Sequence, residues 1–414
     1  MPKSFRSKAT LIILLAVIVR VAVMLAVDRG KFNIEHNPDA EDYLSFAYNL
    51  STGVGFAHAL NENDPFSQPV EFSAWRTPLY PMFLSLAFHI SRNMLFLQAL
   101  QAGLAALALY FFLRLGLLLF GPTAALIAGL AFALYPLLVF YSIDLTTENL
   151  FLCLLLAVLF LFYRAAPQIS VALSFWLGAL VGLSALCRPN GLMLVPALAV
   201  AMWLMLRDYK RATLRVLVLG LGVAVTVLPW TYRNYRLFHR FVLISTNGGA
   251  NLWFGAYFRL DPNASMALIG YSQHQALRDV PEPEREKYYY RQAIAILDHS
   301  PRRWGEMFAS NFTAMYTVIP SAKLHSRTNR LLYTICYLPV LVAGLIGWFL
   351  VRRRWRELSL LWAWVLADTF LYCIYISSIR YRTASIDPIL LLGTGIFVAA
   401  VLQRTRSDRM PVKG

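Results

Sequence analysis

Charge is what this sequence has least of. Only 14% of its 414 residues are charged, against 58% hydrophobic and a mean hydropathy of +0.54, whereas soluble domains carry about 25% charged residues. A chain so poor in charge cannot coat a soluble surface, which excludes the two or three soluble domains that its length would otherwise suggest. Cysteine is scarce too. Cys153, Cys187, Cys336 and Cys373 fall in or at the ends of apolar runs, so they offer neither a disulfide framework nor a spaced metal motif and read as small apolar packers. The apolar runs lack alternation of polar and apolar residues, which excludes a membrane barrel. Repeated halves with broken spans in matching positions, the mark of many transporters, are missing as well.

What remains is an all-α polytopic membrane protein. Runs such as 10–27, 123–141 and 331–351 approach the roughly 20 apolar residues that cross a hydrocarbon core of about 30 Å. About ten spans are expected, near 10–27, 94–113, 123–141, 149–163, 170–187, 191–206, 214–231, 331–351, 358–377 and 389–402. The basic start before the first run resembles a secretory signal, but the run is long, contains Arg20 and has no small-x-small cleavage pattern, so an uncleaved first span is expected. Three regions follow: 1–231, an N-terminal transmembrane module with a first outer loop at 28–93; 232–330, a second long outer segment; and 331–414, the last spans with a basic tail.

The formal charge of +16 would suggest nucleic acid in a soluble protein. Its distribution suggests otherwise. With both termini in the cytosol, the inner segments hold 17 Lys and Arg against Asp208, Glu357 and Asp408, which is the positive-inside pattern of a plasma-membrane protein, expected here to be a bacterial inner membrane. Arg20 and Asp368 are the charges left within spans.

The outer face holds the polar chemistry. Asn37-Pro38-Asp39-Ala40-Glu41 reads as a helix start, with Asn37 capping, Pro38 at the first helical position and acids in the first turn. Tyr43, Phe46, Ala47 and Leu50 then share one face, as in a short helix on the bilayer surface. A polar loop follows to Arg76-Thr77-Pro78, and 82–90 is too short to span. Glu41 and Asp42 read as a solvated face. In the short 142–148 connection, Asp144 or Thr146 is expected to cap the next span, with Glu148 in its first turn. In the second outer segment, 281–296 reads as an exposed charged helix, and Asn311-Phe312-Thr313 fits the glycan acceptor pattern.

Asp39-x-x-x-Tyr43, then Ala47, Leu50, Gly53, Gly55-Phe56 and Arg76-Thr77-Pro78-Leu79-Tyr80-Pro81, resembles the first outer loop of the glycosyltransferase C superfamily. The nearest flavour is the branch holding protein O-mannosyltransferases and the lipid A aminoarabinose transferase. Leu145-Thr146-Thr147-Glu148, Arg188-Pro189, Pro229-Trp230 with Arg233-Asn234, and Arg380-Tyr381-Arg382 follow in order along most of the chain. The resemblance implies transfer of a sugar from a polyprenyl-phosphate carrier to an acceptor hydroxyl outside the membrane, with inversion.

Phosphate leaves as a stable anion, so one carboxylate base serves where glycoside hydrolases use two carboxyl groups. Arginines suit the leaving phosphate because they stay charged and donate two parallel bonds. On this resemblance Asp39 is the base and Glu148 the second acid, placing the acceptor or holding a divalent cation such as Mg²⁺ or Mn²⁺ together with Asp39. Arg380 and Arg382 first, then Arg188, Arg76 and Arg233, are the phosphate ligands. Tyr43 and Tyr381 contact substrate, and Trp75 and Trp230 stack on sugar or prenyl chain or belong to the interfacial belt. His36 and His58 lie near the acid without metal spacing. The rival class is a transporter or flippase of a lipid-linked saccharide, for which Asp368 and Arg20 are the markers.

Overall fold

The computed structural model describes residues 3–28, 38–59, 70–166, 168–206, 208–260, 277, 280–298, 300–321 and 326–407. Helix α1 (Lys3–Val23) continues into a π turn at Met24–Asp28, and the first outer loop then places α2 (Pro38–Ser51). Asn37, the expected cap, and His36 lie outside the described residues. Pro38 and the acids Asp39 and Glu41 do open the helix, where the fixed proline φ and the helix dipole favour them. Its inward side is Tyr43, Leu44, Phe46 and Ala47, all buried. Gly53 and Gly55, with φ of +81° and +109°, turn the chain out of it in a region that suits glycine. The polar loop contains a hairpin that the sequence reading missed: β1 (Ala57–Ala59) pairs antiparallel with β2 (Val70–Phe72), His58 opposite Glu71. Strands of three residues give almost no periodic signal.

Helix α3 (Leu79–Phe88), too short to span, packs against α2. The 41-residue stretch α4 (Met94–Leu134) is two antiparallel arms, because Gly121 breaks it at φ 82° and ψ 175°. A Cβ on Gly116 would sit 3.2 Å from that of Ala125, and one on Gly129 would meet Leu113, so the arms close on each other like a hairpin. The chain bends again at Tyr135 before α5 (Pro136–Tyr141).

Helices α6 (Glu148–Ala165), α7 (Val171–Cys187), α8 (Leu194–Leu206, after a 3₁₀ turn at Pro189–Met193) and α9 (Tyr209–Phe238) follow. The second outer segment folds as α10 (Gly248–Leu260), α11 (Glu282–Leu297) and α12 (Pro301–Tyr316). The chain returns through α13 (Arg327–Leu350), α14 (Ser359–Ile374), the short α15 (Ile379–Thr383) and α16 (Asp387–Ser407). Seven stretches are long and apolar enough to cross a membrane. Splitting α4 at Gly121 and adding the apolar α7 and α14, of 17 and 16 residues, gives the ten expected spans among the described residues.

Outward faces identify the surrounding solvent. Leu11, Leu14 and Ile18 of α1, Leu214, Leu217, Leu221, Val225 and Leu228 of α9, and Leu331, Ile335, Leu338, Val342 and Phe349 of α13 are exposed. Apolar stripes of this length would be a liability in water and suit lipid. Helix α6 lies at the centre, with most of its residues buried, while α7 and α9 approach so closely that a Cβ on Gly178 would lie 2.0 Å from the Leu219 carbonyl oxygen. Small residues permit this, and dispersion between the closely set backbones holds such pairs in lipid. Helix α16 packs on both α13 and α4, which joins the C-terminal spans to the N-terminal ones.

Candidate active site

Five separated pieces of chain meet at one end of the bundle: the first turn of α2, the loop before α3, the start of α6, the residue after α7, and α15. Each contributes a charged side chain, and the charges alternate. Arg76 Nη2 lies 2.5 Å from Asp39 Oδ1 and 2.6 Å from Asp42 Oδ2, and Asp42 meets His58 Nε2 at 2.7 Å. On its other side Asp39 Oδ2 accepts from Arg380 Nη1 at 2.5 Å, while Arg380 Nε and Nη2 reach Glu148 at 2.6 and 3.3 Å. Arg188 Nη1 donates to the same Glu148 Oε1 at 2.7 Å, and its Nη2 to the Tyr372 hydroxyl at 3.2 Å. The continuous order is His58, Asp42, Arg76, Asp39, Arg380, Glu148, Arg188, Tyr372.

The geometry follows from local chemistry. Asp39 and Glu148 stand in the first turns of their helices, where the dipole favours a carboxylate. The segment 142–148 is buried throughout, and Gln101 Nε2 supports it by donating to the Asp144 and Thr146 carbonyls and to the Tyr80 hydroxyl. The capping expectation for Asp144 or Thr146 fails: Thr147 occupies the cap position and makes no side-chain cap bond. Glu148 is 1% exposed and Asp39 29% exposed, so the site deepens from Asp39 towards Glu148. Tyr372 and Tyr381 stack at 4.8 Å with planes 4° apart, and Arg188 lies over the Tyr381 ring, making a flat aromatic wall beside the guanidinium groups.

Burial alone would raise the Asp39 pKa, but Arg76 and Arg380 outweigh it and hold the carboxyl well below its ordinary value. Asp42 is held down in the same way, against its burial, by Arg76 and His58. Burial would lower Arg76 and Arg380, and their carboxylate partners raise both well above the usual value. Tyr43, buried beneath Arg76, is pushed up to about 12, chiefly by burial. Asp39 and Asp42 are therefore held as carboxylates near neutral pH, each paired with a cation.

Several sequence expectations need correction. Asp42 is part of the charged chain, not a solvated face, because Arg76 and His58 both reach it. Arg382 does not face the site: it pairs with Asp387 at 2.6 Å, both side chains 0% exposed, and also donates to the Tyr333 hydroxyl and the Met315 carbonyl. Alternate residues of a short helix point to different sides, and Arg380 alone of the pair turns to the acids. Arg233 holds the hairpin instead, donating to the Ser73 and Phe56 carbonyls. Trp230 is buried with its indole N–H on the Ile244 carbonyl, and Trp75 packs against the cluster between α10 and α11. Tyr43 is buried against Tyr80, a wall of the site. Asn311 is no glycan acceptor, since its buried amide donates to the Cys373 and Tyr375 carbonyls.

The sequence reading did not anticipate Tyr372, nor the frame behind Arg188. Asp368 accepts from Asn190 at 2.8 Å and from Ser385 at 2.7 Å, tying the turn after Arg188 to α14 and to the residues after α15. Arg20 donates to the Ala16 and Ala133 carbonyls. A divalent cation does not fit between Asp39 and Glu148, because the Arg380 guanidinium lies between them and bonds to both. Among the described residues, no group of three or more His, Cys, Asp or Glu side chains could hold a metal ion.

Residues 75–232 match a family model described as dolichyl-phosphate-mannose-protein mannosyltransferase. The Archaeoglobus fulgidus oligosaccharyltransferase in its apo form matches with a TM-score of 0.57 and 15% identity, over 98% of this chain and 52% of that one. The archaeal oligosaccharyltransferase AglB from the same organism, in complex with an inhibitory peptide and a dolichol-phosphate, matches with a TM-score of 0.57 and 14% identity over the same shares. The chain shares the fold of these oligosaccharyltransferases. It spans about half the length of those oligosaccharyltransferases. ArnT from Cupriavidus metallidurans bound to undecaprenyl phosphate, at 15% identity over 98% of this chain and 80% of that one, superposes more loosely, with a TM-score of 0.44. No curated protein matches in sequence.

Proposed function

We propose that this chain is a membrane glycosyltransferase that moves a sugar from a polyprenyl-phosphate carrier to an acceptor hydroxyl on the outer face of the membrane, with inversion. The observation that carries the reading is Arg380, which bridges Asp39 and Glu148 at one end of the bundle. An arginine already holding two carboxylates can exchange one of them for a phosphate, because phosphate presents the same paired oxygens to the guanidinium. The fold shared with a protein described in complex with a dolichol-phosphate, and the match to a family model named for a dolichyl-phosphate sugar, support a lipid-linked donor.

In this scheme the donor phosphate docks on Arg380, with Arg188 behind it and the Tyr372 and Tyr381 rings beside it. Arg380 then releases Asp39 in part, which makes the carboxylate a stronger base than it is in the free protein. Asp39 takes the proton of the acceptor hydroxyl as that oxygen bonds to the anomeric carbon. The bond from this carbon to the phosphate oxygen breaks, its electron pair leaves with the carrier, and the developing negative charge falls among arginines fixed in advance. Attack opposite the leaving phosphate inverts the configuration. Glu148 stays paired with Arg188 and Arg380 and keeps both in place. In the same proposal the basic end lies in the cytosol, which the positive-inside bias supports, and the site faces the outside of a bacterial plasma membrane.

The transporter reading has less support, since Asp368 has both oxygens bonded, to Asn190 and Ser385, and forms part of the frame. The discriminating experiment supplies purified protein with a polyprenyl-phosphate sugar and a hydroxyl acceptor and scores free carrier phosphate. Asp39→Asn is expected to lower release about 10²- to 10⁴-fold, the usual range for a lost general base, with normal insertion. Release by the variant at the wild-type rate would remove Asp39 from the chemistry.

A further inference from the structure

The segment carrying Arg76, between β2 and α3, has no helix or strand of its own, yet it holds the guanidinium that meets Asp39 and Asp42. The segment is tied down from outside, through its backbone and through the Thr77 hydroxyl. Arg233 donates to the Ser73 carbonyl at 2.8 Å, the Thr246 N–H to the Ala74 carbonyl at 3.0 Å, and Thr77 to the Cys187 carbonyl at 2.7 Å. A further tie is a carboxylate. Glu282 Oε1 accepts from the Ala74 N–H at 2.9 Å, and the same oxygen accepts from the Thr246 hydroxyl.

Glu282 is the first residue of α11 and only 4% exposed, although it lies 208 residues from Ala74. The helix dipole favours an acidic side chain at this position, and a carboxylate oxygen is a strong acceptor for a backbone N–H. One turn on, Arg285 pairs with Glu71 at 3.3 Å, so α11 grips the strand before the segment and the segment itself. Trp75, the neighbour of Arg76, packs its side chain into the α10 and α11 cluster. Helix α11 reads in sequence as an exposed charged helix, and its buried glutamate has no explanation in such a helix.

We propose that Glu282 is a positioning residue for the transfer reaction: by holding Ala74 it sets Arg76 against Asp39 and Asp42, and it makes the second outer segment a working part of the site. The inference rests on the transferase reading. Loss of this acceptor strands a backbone N–H and a hydroxyl and lets Arg76 drift from Asp39, and displacements of about 1 Å in a positioned group cost up to about 10²-fold in rate. Glutamine keeps an acceptor oxygen at the same reach.

Two readouts on full-length protein in lipid test this. Kinetically, Glu282→Ala is expected to lower kcat per folded molecule about tenfold or more with the donor KM within about threefold, while Glu282→Gln stays within about threefold of wild type in both. Wild-type kcat in Glu282→Ala, or an equal loss in both variants, would overturn the proposal. Hydrogen exchange of residues 73–77 is expected to quicken in Glu282→Ala and not in Glu282→Gln, and unchanged exchange in Glu282→Ala would overturn it whatever the activity. A wild-type protein that transfers sugar from no polyprenyl-phosphate donor would instead overturn the transferase reading, with the exchange comparison still reporting on Glu282.

Discussion

At the scale of the residue, Arg380 decides the character of the site. A lone arginine against a lone aspartate at a partly wet surface contributes little, but Arg380 spans two carboxylates that are themselves held by Arg76 and Arg188. Removing it leaves Glu148 buried with one cation fewer and Asp39 freer to take a proton. The proposed exchange of Asp39 for phosphate has a pH signature. In the free protein Asp39 lies below the ordinary carboxylate value, so activity falls only as pH drops through that depressed value. Donor phosphate adds negative charge and draws on Arg380, and both raise the Asp39 pKa. The acid limb of kcat, which reports the donor-bound form, is therefore expected at higher pH than that of kcat/KM, which reports the free form. Coincident limbs in the two profiles would count against the exchange.

Arg382, two residues on, belongs to a different economy. Its partner Asp387 starts α16, and Arg382 also lies 3.7 Å from the Tyr337 ring centroid. Breaking such a buried pair costs about 3–5 kcal/mol because the remaining charge is stranded. Arg382→Met is therefore expected to lower thermal stability in detergent by an amount in that range, while turnover per folded molecule stays near wild type. A variant that is stable but inactive would return Arg382 to the catalytic site.

At the scale of the element, the loops and caps decide more than the spans. The ten apolar segments are legible in sequence because hydropathy over some 20 residues is a strong signal, although the structure moves some of their ends by about seven residues. The two arms of α4 illustrate this: separate spans near 94–113 and 123–141 were expected, and the structure turns between them at Gly121. Gly121 at φ 82° and ψ 175° occupies a region essentially restricted to glycine, and open space surrounds its absent Cβ, so strain and not collision penalises a substitution. Gly121→Ala is expected to cost roughly 1–3 kcal/mol, read as a lowered unfolding temperature of the detergent-solubilised protein. An unchanged temperature would mean that the turn relaxes freely. The hairpin of β1 and β2 and the helices α10 and α12 were not legible, since short strands and amphipathic surface helices resemble polar loops until their partners are known.

At the scale of the whole molecule, membrane topology does for this site what a single loop does elsewhere. Asp39 and Arg380 are 341 residues apart in sequence, and only the alternation of spans returns both to one face. Asp39, Glu148, Arg76, Arg188 and Arg380 were legible as candidates because motif order and sidedness point the same way. The misassignment of Arg382 and Arg233 has a simple cause: sidedness says which end of the bundle an arginine occupies, and not whether a buried carboxylate or carbonyl will claim it. Tyr372, Asp42 and Glu282 gave no separate signal, because only contacts between distant segments bring them to the site and to the loop that carries Arg76.

The central claim is that Asp39 and Arg380 act as one unit on a phosphate-linked sugar, and a double-mutant cycle tests it most directly. Sugar transfer from a polyprenyl-phosphate donor would be measured for wild type, Asp39→Asn, Arg380→Gln and the double variant. Groups acting as a unit are strongly non-additive, so the double variant is expected to be no slower than the slower single variant. Losses that multiply across the two sites would show that the carboxylate and the guanidinium work independently, and would contradict the account.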